Sequence, residues 1–574
     1  MAGKESLDKP VAPASRSWWW WLLPALVIVP WLGQPPLGWW PLGFVANVPY
    51  LLVVSEGSFG RRGYWMLFLG AFLYWALTLQ GLRLAHPVIY VCWLVLAAYL
   101  AVYRVLFVVA TKRLVARGVP LAISAPLLWV GMECIRNYML SGVSAAMLGH
   151  TMADVPIMIQ IADLGGSYAV SFVLVVVNVA FFETATWFLR RSKGERPFPV
   201  SSCALAGVLI VATLGYGAFR LNEPTGEPTT TFALIGRNEP IEYFQDEGRE
   251  LAIFEAYARQ SILAARESPQ PVDVVVWPES MFTGTLPWMI GDGNAEQAME
   301  YGLSVEEVRR RLGEFRSSFR ARTQLLQQRM TLPDRPAPDL LVGCGVVDYG
   351  EKTRVYSGLL HLNDRGAVKH WYAKTHLVMF GEYIPVVEWL PVIRDWIPDD
   401  IGLADGDEPR FMPVRQTSVL PNICIETAVE RVAMHHLQRL RDTDGLPEVI
   451  ATVSNDGWFD DSSVVQHHKR CAQLVAVSCR RPILSAANNG PTCWIDSRGV
   501  VVEQIPQGGV GNLFARPRID SREAFTLTLG DWPARLCGLA LLATLCWRRR
   551  VVSDSSDEDP GDGDPDDNEP VPSA

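Results

Sequence analysis

The sequence predicts a multi-pass α-helical membrane region of about eight spans joined to a globular α/β domain. Of the 574 residues, 49% are hydrophobic and 19% are charged, and this charged fraction lies below the roughly 25% that is typical of soluble proteins. Residues 17–55 carry no charge at all, whereas residues 220–530 alternate short β-rich runs with helix-like segments. These observations disfavour a disordered chain, a nucleic-acid-binding protein and an ordinary cytosolic enzyme.

The membrane region can be divided into spans by length, because a helix crossing the hydrocarbon layer needs about 20 mostly apolar residues. Residues 17–55 are long enough for two short spans, with a break near Gln34-Pro35-Pro36. Further candidates are residues 63–82, 86–110, 119–134, 164–182, 197–219 and 532–547. The last candidate is the weakest because it contains Arg535. Glu133 and Arg136 lie three residues apart in the fifth span, and we expect them to pair with each other because isolated charges are costly there.

The distribution of basic residues predicts the orientation, since short cytoplasmic loops are enriched in Lys and Arg. Basic residues precede the first span and follow the second, fourth, sixth and eighth. This alternation places both termini in the cytoplasm and the globular domain on the opposite side. In a bacterium, the protein would therefore lie in the inner membrane with its globular domain in the periplasm.

The predicted organisation has five parts. A cytoplasmic N-terminus (1–16) precedes seven transmembrane helices (17–219), a globular domain (220–530), an eighth transmembrane helix (531–548) and a cytoplasmic tail (549–574). Residues 551–574 carry nine acidic and no basic residues and are rich in Pro and Gly, a composition that predicts disorder. The ten cysteines form no CxxC pairs, so neither a disulfide framework nor a zinc ribbon is expected.

The globular domain contains strand-like runs bounded by Gly, Pro, Asp and Asn, together with segments of helical length. The strand-like runs are 231–235, 272–276, 340–347, 356–362, 419–425, 449–453, 483–487 and 492–495. The helical segments are 247–265, 305–330, 428–441 and 462–479. This pattern predicts an α/β layered fold. The 305–330 helix carries seven arginines, and we interpret it as a solvated insertion, with a contact to lipid headgroups as the alternative.

Three segments of the globular domain end in chemically capable side chains. A buried run ends at Trp277-Pro278-Glu279, a second segment ends at Lys374, and an apolar run ends at Cys424. Covalent acyl transfer needs a nucleophile, a base to take its proton and a fixed cation for the oxyanion. A thiol, a carboxylate and an ammonium group meet these needs, whereas each residue in isolation could be structural.

These residues and their flanking segments resemble the apolipoprotein N-acyltransferases, a membrane-bound branch of the nitrilase superfamily. The resemblance covers residues 15–548 and rests on the order of Trp277-Pro278-Glu279, the 374–385 segment KTHLVMFGEYIP and Cys424. Further matching segments are Ser454-Asn455-Asp456-Gly457-Trp458-Phe459, Gln466-His467 and Asn488-Asn489-Gly490. The family's plan of seven spans, a nitrilase domain and one closing span agrees with the predicted organisation. The resemblance therefore implies an α-β-β-α sandwich for the globular domain, with residues 283–338 as a longer insertion.

The resemblance also implies roles for individual residues. Cys424 would attack the sn-1 ester of a phospholipid, Glu279 would be the general base and Lys374 would stabilise the oxyanion. Glu382 and Glu426 match supporting carboxylates. The acceptor would be the free amine of a diacylglyceryl-cysteine at a lipoprotein N-terminus. We expect no cofactor, no metal and no nucleic-acid partner, since the paired histidines at 435–436 and 467–468 have no accompanying ligand spacing.

Two other classes of function remain open. The same residues would serve a membrane-tethered nitrilase-like amidase or hydrolase that uses water as acceptor, although a small soluble substrate gives no reason for eight spans. A non-catalytic scaffold would need none of the three residues. The 475–478 segment and Ser485 depart from the family pattern, which also leaves room for a divergent acyltransferase paralogue with another amine acceptor.

Overall fold

A computed structural model of the chain describes residues 19–56, 60–87, 89–190, 197–241, 246–268, 270–300, 302–379, 381–383 and 402–547. The predicted N-terminal segment 1–16 and the acidic tail 549–574 lie outside these residues. The five-part division of the chain stays a prediction.

Among its described residues, the N-terminal region contains eight α-helices. They are α1 (Trp19–Leu32), α2 (Val48–Ser55), α3 (Arg61–Thr78), α4 (Ile89–Val115), α5 (Leu121–Tyr138), α6 (Pro156–Ile159), α7 (Ala162–Arg190) and α8 (Val200–Asn222). Within the described residues, α4, α7 and α8 are long and apolar enough to cross a membrane. Shorter apolar helices occupy 21–32, 40–55 and 532–546, so the number of about eight spans stays a prediction.

The charged residues of α5 do not form the expected direct ion pair. Glu133 Oε1 instead accepts hydrogen bonds from Trp129 Nε1 at 3.0 Å and from the backbone N–H of Leu148 at 2.8 Å. The guanidinium group of Arg136 lies over the ring of Trp75, 5.0 Å from its centroid. Among the described residues, Glu133 Oε2 and the Nε and Nη2 atoms of Arg136 are buried without a hydrogen-bond partner, so each charge is only partly compensated.

The second half of the chain forms two β-sheets and the helices that cover them. The strands are β1 (Phe232–Gly236), β2 (Val274–Trp277), β3 (Trp288–Ile290), β4 (Asp339–Tyr349), β5 (Thr353–Leu362), β6 (Val368–Ala373), β7 (Met412–Val414), β8 (Thr417–Ile423), β9 (Val449–Asn455), β10 (Ile483–Asn488), β11 (Thr492–Ile495), β12 (Val501–Ile505) and β13 (Gly511–Ala515). The helices are α9 (Glu247–Glu267), α10 (Ala295–Glu300), α11 (Val305–Met330), α12 (Ile425–Ala428), α13 (Glu430–Thr443), α14 (Val464–Cys479), α15 (Phe525–Leu529) and α16 (Trp532–Cys546).

The two sheets pack face to face between layers of helices. In the described part of the chain, one sheet has the order β13-β1-β2-β4-β5-β6 with β3 beside β4, and the other has the order β12-β11-β10-β9-β8-β7. Val276 and Leu341 from the first sheet meet Val453 and Leu484 from the second in a shared apolar core. Further clusters bury the outer face of the first sheet under α9 and α11, and that of the second under α13 and α14. The expected α-β-β-α sandwich is thus confirmed.

Helix α11 packs more closely than a solvated insertion would. Val308, Leu312, Phe319, Leu326 and Met330 form one buried face of the helix, at the spacing of three to four residues that marks a helix packed against a core. The exposed face carries pairs such as Arg310 with Glu307. The helix therefore forms part of the sandwich, and its arginines are exposed except for the half-buried Arg316 and Arg322.

Strand directions bring the three sequence-predicted segments together. β2 runs parallel to β4, and β5 and β6 each reverse direction, so β6 runs parallel to β2. Glu279 follows β2 and Lys374 follows β6, so both lie at the same edge of the first sheet. Cys424 follows β8 in the facing sheet, where its backbone N–H donates to Val453 O at 2.8 Å.

A buried cation joins the two halves of the chain. Arg480 follows α14, is fully buried and pairs with Asp163 at the start of α7. Its Nη1 donates to Gln160 Oε1 at 2.7 Å, and Arg220 pairs with the same Asp163 at 2.8 Å. Because unpaired buried charges are costly, this cluster fixes α14 against the N-terminal helices.

We expect Arg480→Met to destabilise the protein by about 3 kcal/mol, because it leaves the buried Asp163 with less compensation. The measurement is the midpoint of unfolding in detergent micelles. Arg439→Met is the matched control, since Arg439 and its partner Glu408 are both about half exposed, and such pairs contribute about 0–1 kcal/mol. Equal midpoints for the two variants would contradict this account.

Candidate active site

A buried lysine forms the centre of the site. Lys374 is fully buried, and its Nζ lies 3.2 Å from Glu279 Oε1 and 2.6 Å from Glu382 Oε1. Its backbone is fixed as well, because Lys374 N donates to Ser357 O at 2.9 Å and Lys374 O accepts from Gly406 N at 2.8 Å. An ammonium group can be buried when carboxylates pair with it, and two of them do so here.

Glu279 is held by partners from three different segments. Besides Lys374, Oε1 accepts a hydrogen bond from Ser357 Oγ at 3.0 Å, and Oε2 accepts from the backbone N–H of Asn455 at 3.3 Å. Trp277, two residues earlier, anchors the strand through its indole N–H to Ser261 Oγ at 2.7 Å. The carboxylate is thus oriented between the two sheets.

Cys424 lies in a tight turn between β8 and α12. Its φ of +51° is uncommon for a residue other than glycine and marks a position that the surrounding structure must hold in place. The thiol borders a cavity of about 20 Å³ that is also lined by Ser454, Asp456, His468 and Ser485. A cavity of this size has room for about one water molecule.

Glu426 connects the turn at Cys424 with the segment at Lys374. The carboxylate is fully buried. Its Oε2 accepts from the backbone N–H of Ile423 at 2.7 Å, and its Oε1 accepts from Tyr372 OH at 2.6 Å and from Thr375 N at 2.7 Å. One side chain therefore holds the residues next to the thiol and next to the ammonium group in a fixed relation. Glu382 is anchored by Val378 N at 2.8 Å.

The charges of the site act on one another. Burial by itself would lower the pKa of Lys374, but Glu279, Cys424 and Glu382 outweigh it and raise that pKa, so the ammonium form persists. Burial raises the pKa of Glu382 against the opposing effect of Lys374. Burial also raises the pKa of the Cys424 thiol well above its usual value, although Lys374 opposes this. This shift favours the neutral thiol, which would need a base in order to act as a nucleophile.

Some contributors were missed by sequence analysis. Ser357 lies within β5, and no local motif marks it, because its role depends on a strand pairing that brings it to Glu279. The sequence suggests only a metal-ligand role for His436, yet its Nε2 lies 2.9 Å from Thr375 Oγ1. Asp456 lies in a segment that resembles the family, but its position beside the cavity at Cys424 is evident only in the fold.

One group of potential metal ligands exists among the described residues. Atoms of His150, Glu430 and Cys471 lie within 4.8 Å of one another. However, His150 Nε2 and Ser167 Oγ already bond to the same Glu430 oxygen, at 2.6 and 2.7 Å. The group is therefore satisfied as a hydrogen-bonded contact between the N-terminal helices and α13. The expectation of no metal and no cofactor stays a prediction.

Comparisons with known proteins agree with this architecture. The family model described as the apolipoprotein N-acyltransferase N-terminal domain matches residues 26–180, and the carbon-nitrogen hydrolase model matches residues 241–518. An apolipoprotein N-acyltransferase from Rhodopirellula baltica is 44% identical over 559 residues, which cover 92% of this chain and 97% of that protein. Its counterpart from Geobacter metallireducens is 29% identical over 543 residues, covering 91% and 94%. The crystal structure of Saccharomyces cerevisiae Nit3, a member of branch 10 of the nitrilase superfamily, is 13% identical and covers 54% of this chain and 97% of that one, with a TM-score of 0.34.

The network around Thr375 predicts acid sensitivity. Burial, followed by the nearby His435 and Arg439, lowers the pKa of His436 to about 3, whereas an unfolded histidine titrates near 6.5. Between these values the unfolded state binds a proton that the folded state excludes. Stability contributed by this group is therefore complete above pH about 6.5 and is lost as the pH falls, at about 1.4 kcal/mol per pH unit.

We expect His436→Gln to reduce the number of protons taken up on unfolding between pH 4.5 and 6.5 by about one. The free energy of unfolding should therefore depend less steeply on pH in this range. The measurement is the unfolding midpoint as a function of pH in detergent micelles. His86→Gln serves as the control because His86 is exposed and lies outside this network. The assignment fails if the two variants change the slope equally.

Proposed function

The chain belongs to the apolipoprotein N-acyltransferase family, and we propose that it moves a fatty acyl chain from a phospholipid to a lipoprotein through a thioester on Cys424. Family membership makes it an acyltransferase and a membrane enzyme that N-acylates lipoproteins. The proposal rests above all on the buried Lys374 ammonium group, held between two carboxylates and close enough to the half-buried Cys424 to interact with it electrostatically.

In the first half-reaction, Glu279 takes the proton of the Cys424 thiol as the sulfur attacks the sn-1 ester carbonyl of the phospholipid. A general base is needed because burial keeps the thiol protonated. The tetrahedral intermediate then expels the glycerol oxygen, which receives the proton from Glu279 and leaves as a lysophospholipid. The product on the enzyme is an acyl thioester.

Lys374 stabilises the oxyanion of this intermediate. An ammonium group has three N–H donors. Among the described residues, two of them are directed at Glu279 and Glu382, which leaves the third for the oxyanion. Because the cation is fixed before the reaction, it does not have to reorganise as negative charge develops, and removal of one oxyanion donor typically costs about 10²–10³ in rate.

In the second half-reaction, the N-terminal amine of a diacylglyceryl-cysteine attacks the thioester. Glu279 takes a proton from the amine, an amide bond forms, and the Cys424 sulfur leaves and regains a proton. Glu382 holds Lys374 in place. Glu426 holds the turn that presents the sulfur. The reaction therefore needs side chains from three segments and regenerates the enzyme at its end.

Contacts near Ser141 support catalysis at a bilayer. Ser141 follows α5, and its carbonyl oxygen lies 2.8 Å from His376 Nε2 and accepts from Arg431 Nη2 at 3.1 Å. His376 is two residues from Lys374, and Arg431 is seven residues from Cys424. Two of the segments that form the site therefore rest on the end of an apolar helix. Both proposed substrates carry acyl chains, so they could reach the site without leaving the lipid phase.

The proposed phospholipid reaction can be tested by following an adduct. Purified protein incubated with a phospholipid labelled in its sn-1 chain should form an acyl-protein that is cleaved by hydroxylamine. The label should then pass to the amine of a diacylglyceryl-cysteine peptide. Cys424→Ser should form no thioester, and Lys374→Met should slow its formation by about 10²–10³. The adduct is measured by scintillation and by mass spectrometry of the peptide that contains Cys424.

Cys546→Ser is the matched control, because Cys546 is an exposed thiol on α16 and outside the proposed site. An adduct that persists in Cys424→Ser would remove this residue from its role. Transfer of the label to water only would favour the hydrolase, and transfer to other amines but not to the peptide would favour a paralogue.

We further propose that both termini are cytoplasmic and that the catalytic domain lies in the periplasm, because basic residues follow every second span. Ser317 is exposed on α11, so Ser317→Cys should react with a membrane-impermeant maleimide in intact spheroplasts. Cys546, near the end of the last span, should react only after lysis. Labelling of each peptide is measured by mass spectrometry, and the reverse pattern would invert the topology.

A further inference from the structure

The segment that carries Glu279 continues as a series of turns. β2 ends at Trp277, and residues 279–285 form consecutive turns without regular structure. Ser280 has a φ of +65°, Thr283 N donates to Ser280 O at 3.1 Å, and Leu286 N donates to Thr283 O at 3.0 Å. Short-range bonds of this kind shape a turn but do not fix its place in the protein. The position of the Glu279 backbone therefore depends on what the turns contact.

One side of the turns rests on strand β4. A Cβ added to Gly343 would lie 2.4 Å from Pro278 O and 2.5 Å from Glu279 Cα, so the two backbones touch because residue 343 is glycine. Gly343 O also accepts from the backbone N–H of Phe282 at 2.9 Å. Movement of Glu279 toward β4 is thus blocked by direct contact.

The other side of the turns is held by Arg322 from helix α11. Its Nη1 donates to Thr283 O at 3.0 Å, and its Nη2 donates to Phe282 O at 3.0 Å and to Leu286 O at 2.9 Å. A Cβ at Gly284 would come within 3.1 Å of Nη1. One guanidinium group therefore binds three carbonyl oxygens of the segment that follows Glu279.

Aromatic rings enclose this guanidinium group. Its carbon lies 4.4 Å from the ring centroid of Phe254, 5.2 Å from that of Phe282 and 5.3 Å from that of Phe319. Burial lowers the pKa of Arg322 to about 10, which shows that the surroundings disfavour the charge. Packing of α11 alone would not require an arginine here, because most of the neighbouring residues on the buried face are apolar. The planar fork of five donors is what three converging carbonyl oxygens require.

We propose that Arg322 is a positioning residue for the general base: it holds the 282–286 turns so that Glu279 stays in hydrogen-bonding contact with Lys374 and within reach of the Cys424 thiol. This inference rests on the proposed role of Glu279 in the acyltransferase reaction. It also gives the 283–338 insertion a function, since the insertion supplies both the turns and the helix that binds them.

The test compares Arg322→Met, Arg322→Lys and Arg316→Met in the full-length protein in detergent. Arg316 is the matched control, because it lies on the same helix and also binds backbone carbonyls, but those of Met289 and Gly291. Acyl-enzyme formation is followed in single turnovers over a range of phospholipid concentrations. Alkylation of Cys424 by iodoacetamide, read by mass spectrometry, reports deprotonation of the thiol without phospholipid. Unfolding midpoints ensure that every variant is measured while folded.

Arg322→Met should slow acyl-enzyme formation at saturating phospholipid by about 10- to 100-fold, the range expected for a misplaced reacting group, with little change in the half-saturating concentration. It should slow Cys424 alkylation in the same proportion. Arg322→Lys should recover part of both rates because it retains a cation for the carbonyl oxygens. Arg316→Met should lower the unfolding midpoint without slowing either rate.

The positioning role is overturned if Arg322→Met slows both rates no more than Arg316→Met does, or if its effect appears only in the half-saturating concentration. Glu279→Gln separates this failure from failure of the underlying reaction. If Glu279→Gln retains the wild-type rate, the proposed base is wrong. If Glu279→Gln slows acyl-enzyme formation and Arg322→Met does not, the role of Glu279 as the base is retained and Arg322 has only a structural role.

Discussion

Burial of the Lys374 ammonium group is the constraint on which the site depends. A charge removed from water is costly unless partners compensate for it, and here the partners come from distant parts of the chain. Glu279 arrives from the end of β2 and Glu382 from a segment beyond β6. Because such a charge needs compensating partners when it is buried, the contacts that stabilise the buried lysine also hold the site together. The conformation that satisfies the cation is also the one that orients the proposed base.

The same burial affects the protonation of Cys424, the proposed nucleophile. The environment that hides Lys374 also raises the pKa of Cys424, so the cation does not generate a thiolate in the resting protein. A neutral thiol is the less reactive form, and it becomes a nucleophile when a positioned base can take its proton. Glu426 fixes the turn at Cys424 relative to the segment at Lys374, because it accepts hydrogen bonds from the backbone N–H groups of both Ile423 and Thr375. In the proposed reaction, the Cys424 thiol therefore loses its proton as it attacks the substrate carbonyl, and the sulfur carries no permanent charge.

Sequence patterns predicted an α/β layered fold from local signals, whereas the resemblance to a known family implied the α-β-β-α sandwich and the proposed site. The apolar runs at β2, β8 and β9 and the helices α9, α11, α13 and α14 lie within a few residues of their predicted positions. Short strands such as β3, β7 and β13 were missed, since three to five residues carry little periodicity and are stabilised by pairing with distant strands. The positions of Ser357 and Arg322 could not be predicted for the same reason. Their partners are a carboxylate and three carbonyl oxygens that only the fold brings near.

Polar groups among the apolar helices explain how the catalytic domain keeps its place beside them. Glu133 in α5 accepts from the backbone of Leu148, and this fixes the turn that carries His150. His150 in turn bonds Glu430 at the start of α13, six residues after Cys424. Buried ionisable groups of this kind are costly in an apolar environment. Their need for partners therefore favours one arrangement of α13 against the N-terminal helices. The turn at Cys424 is thereby connected to the apolar helices through side chains, and a tilt of the domain away from them would leave Glu430 without its hydrogen-bond partners His150 and Ser167.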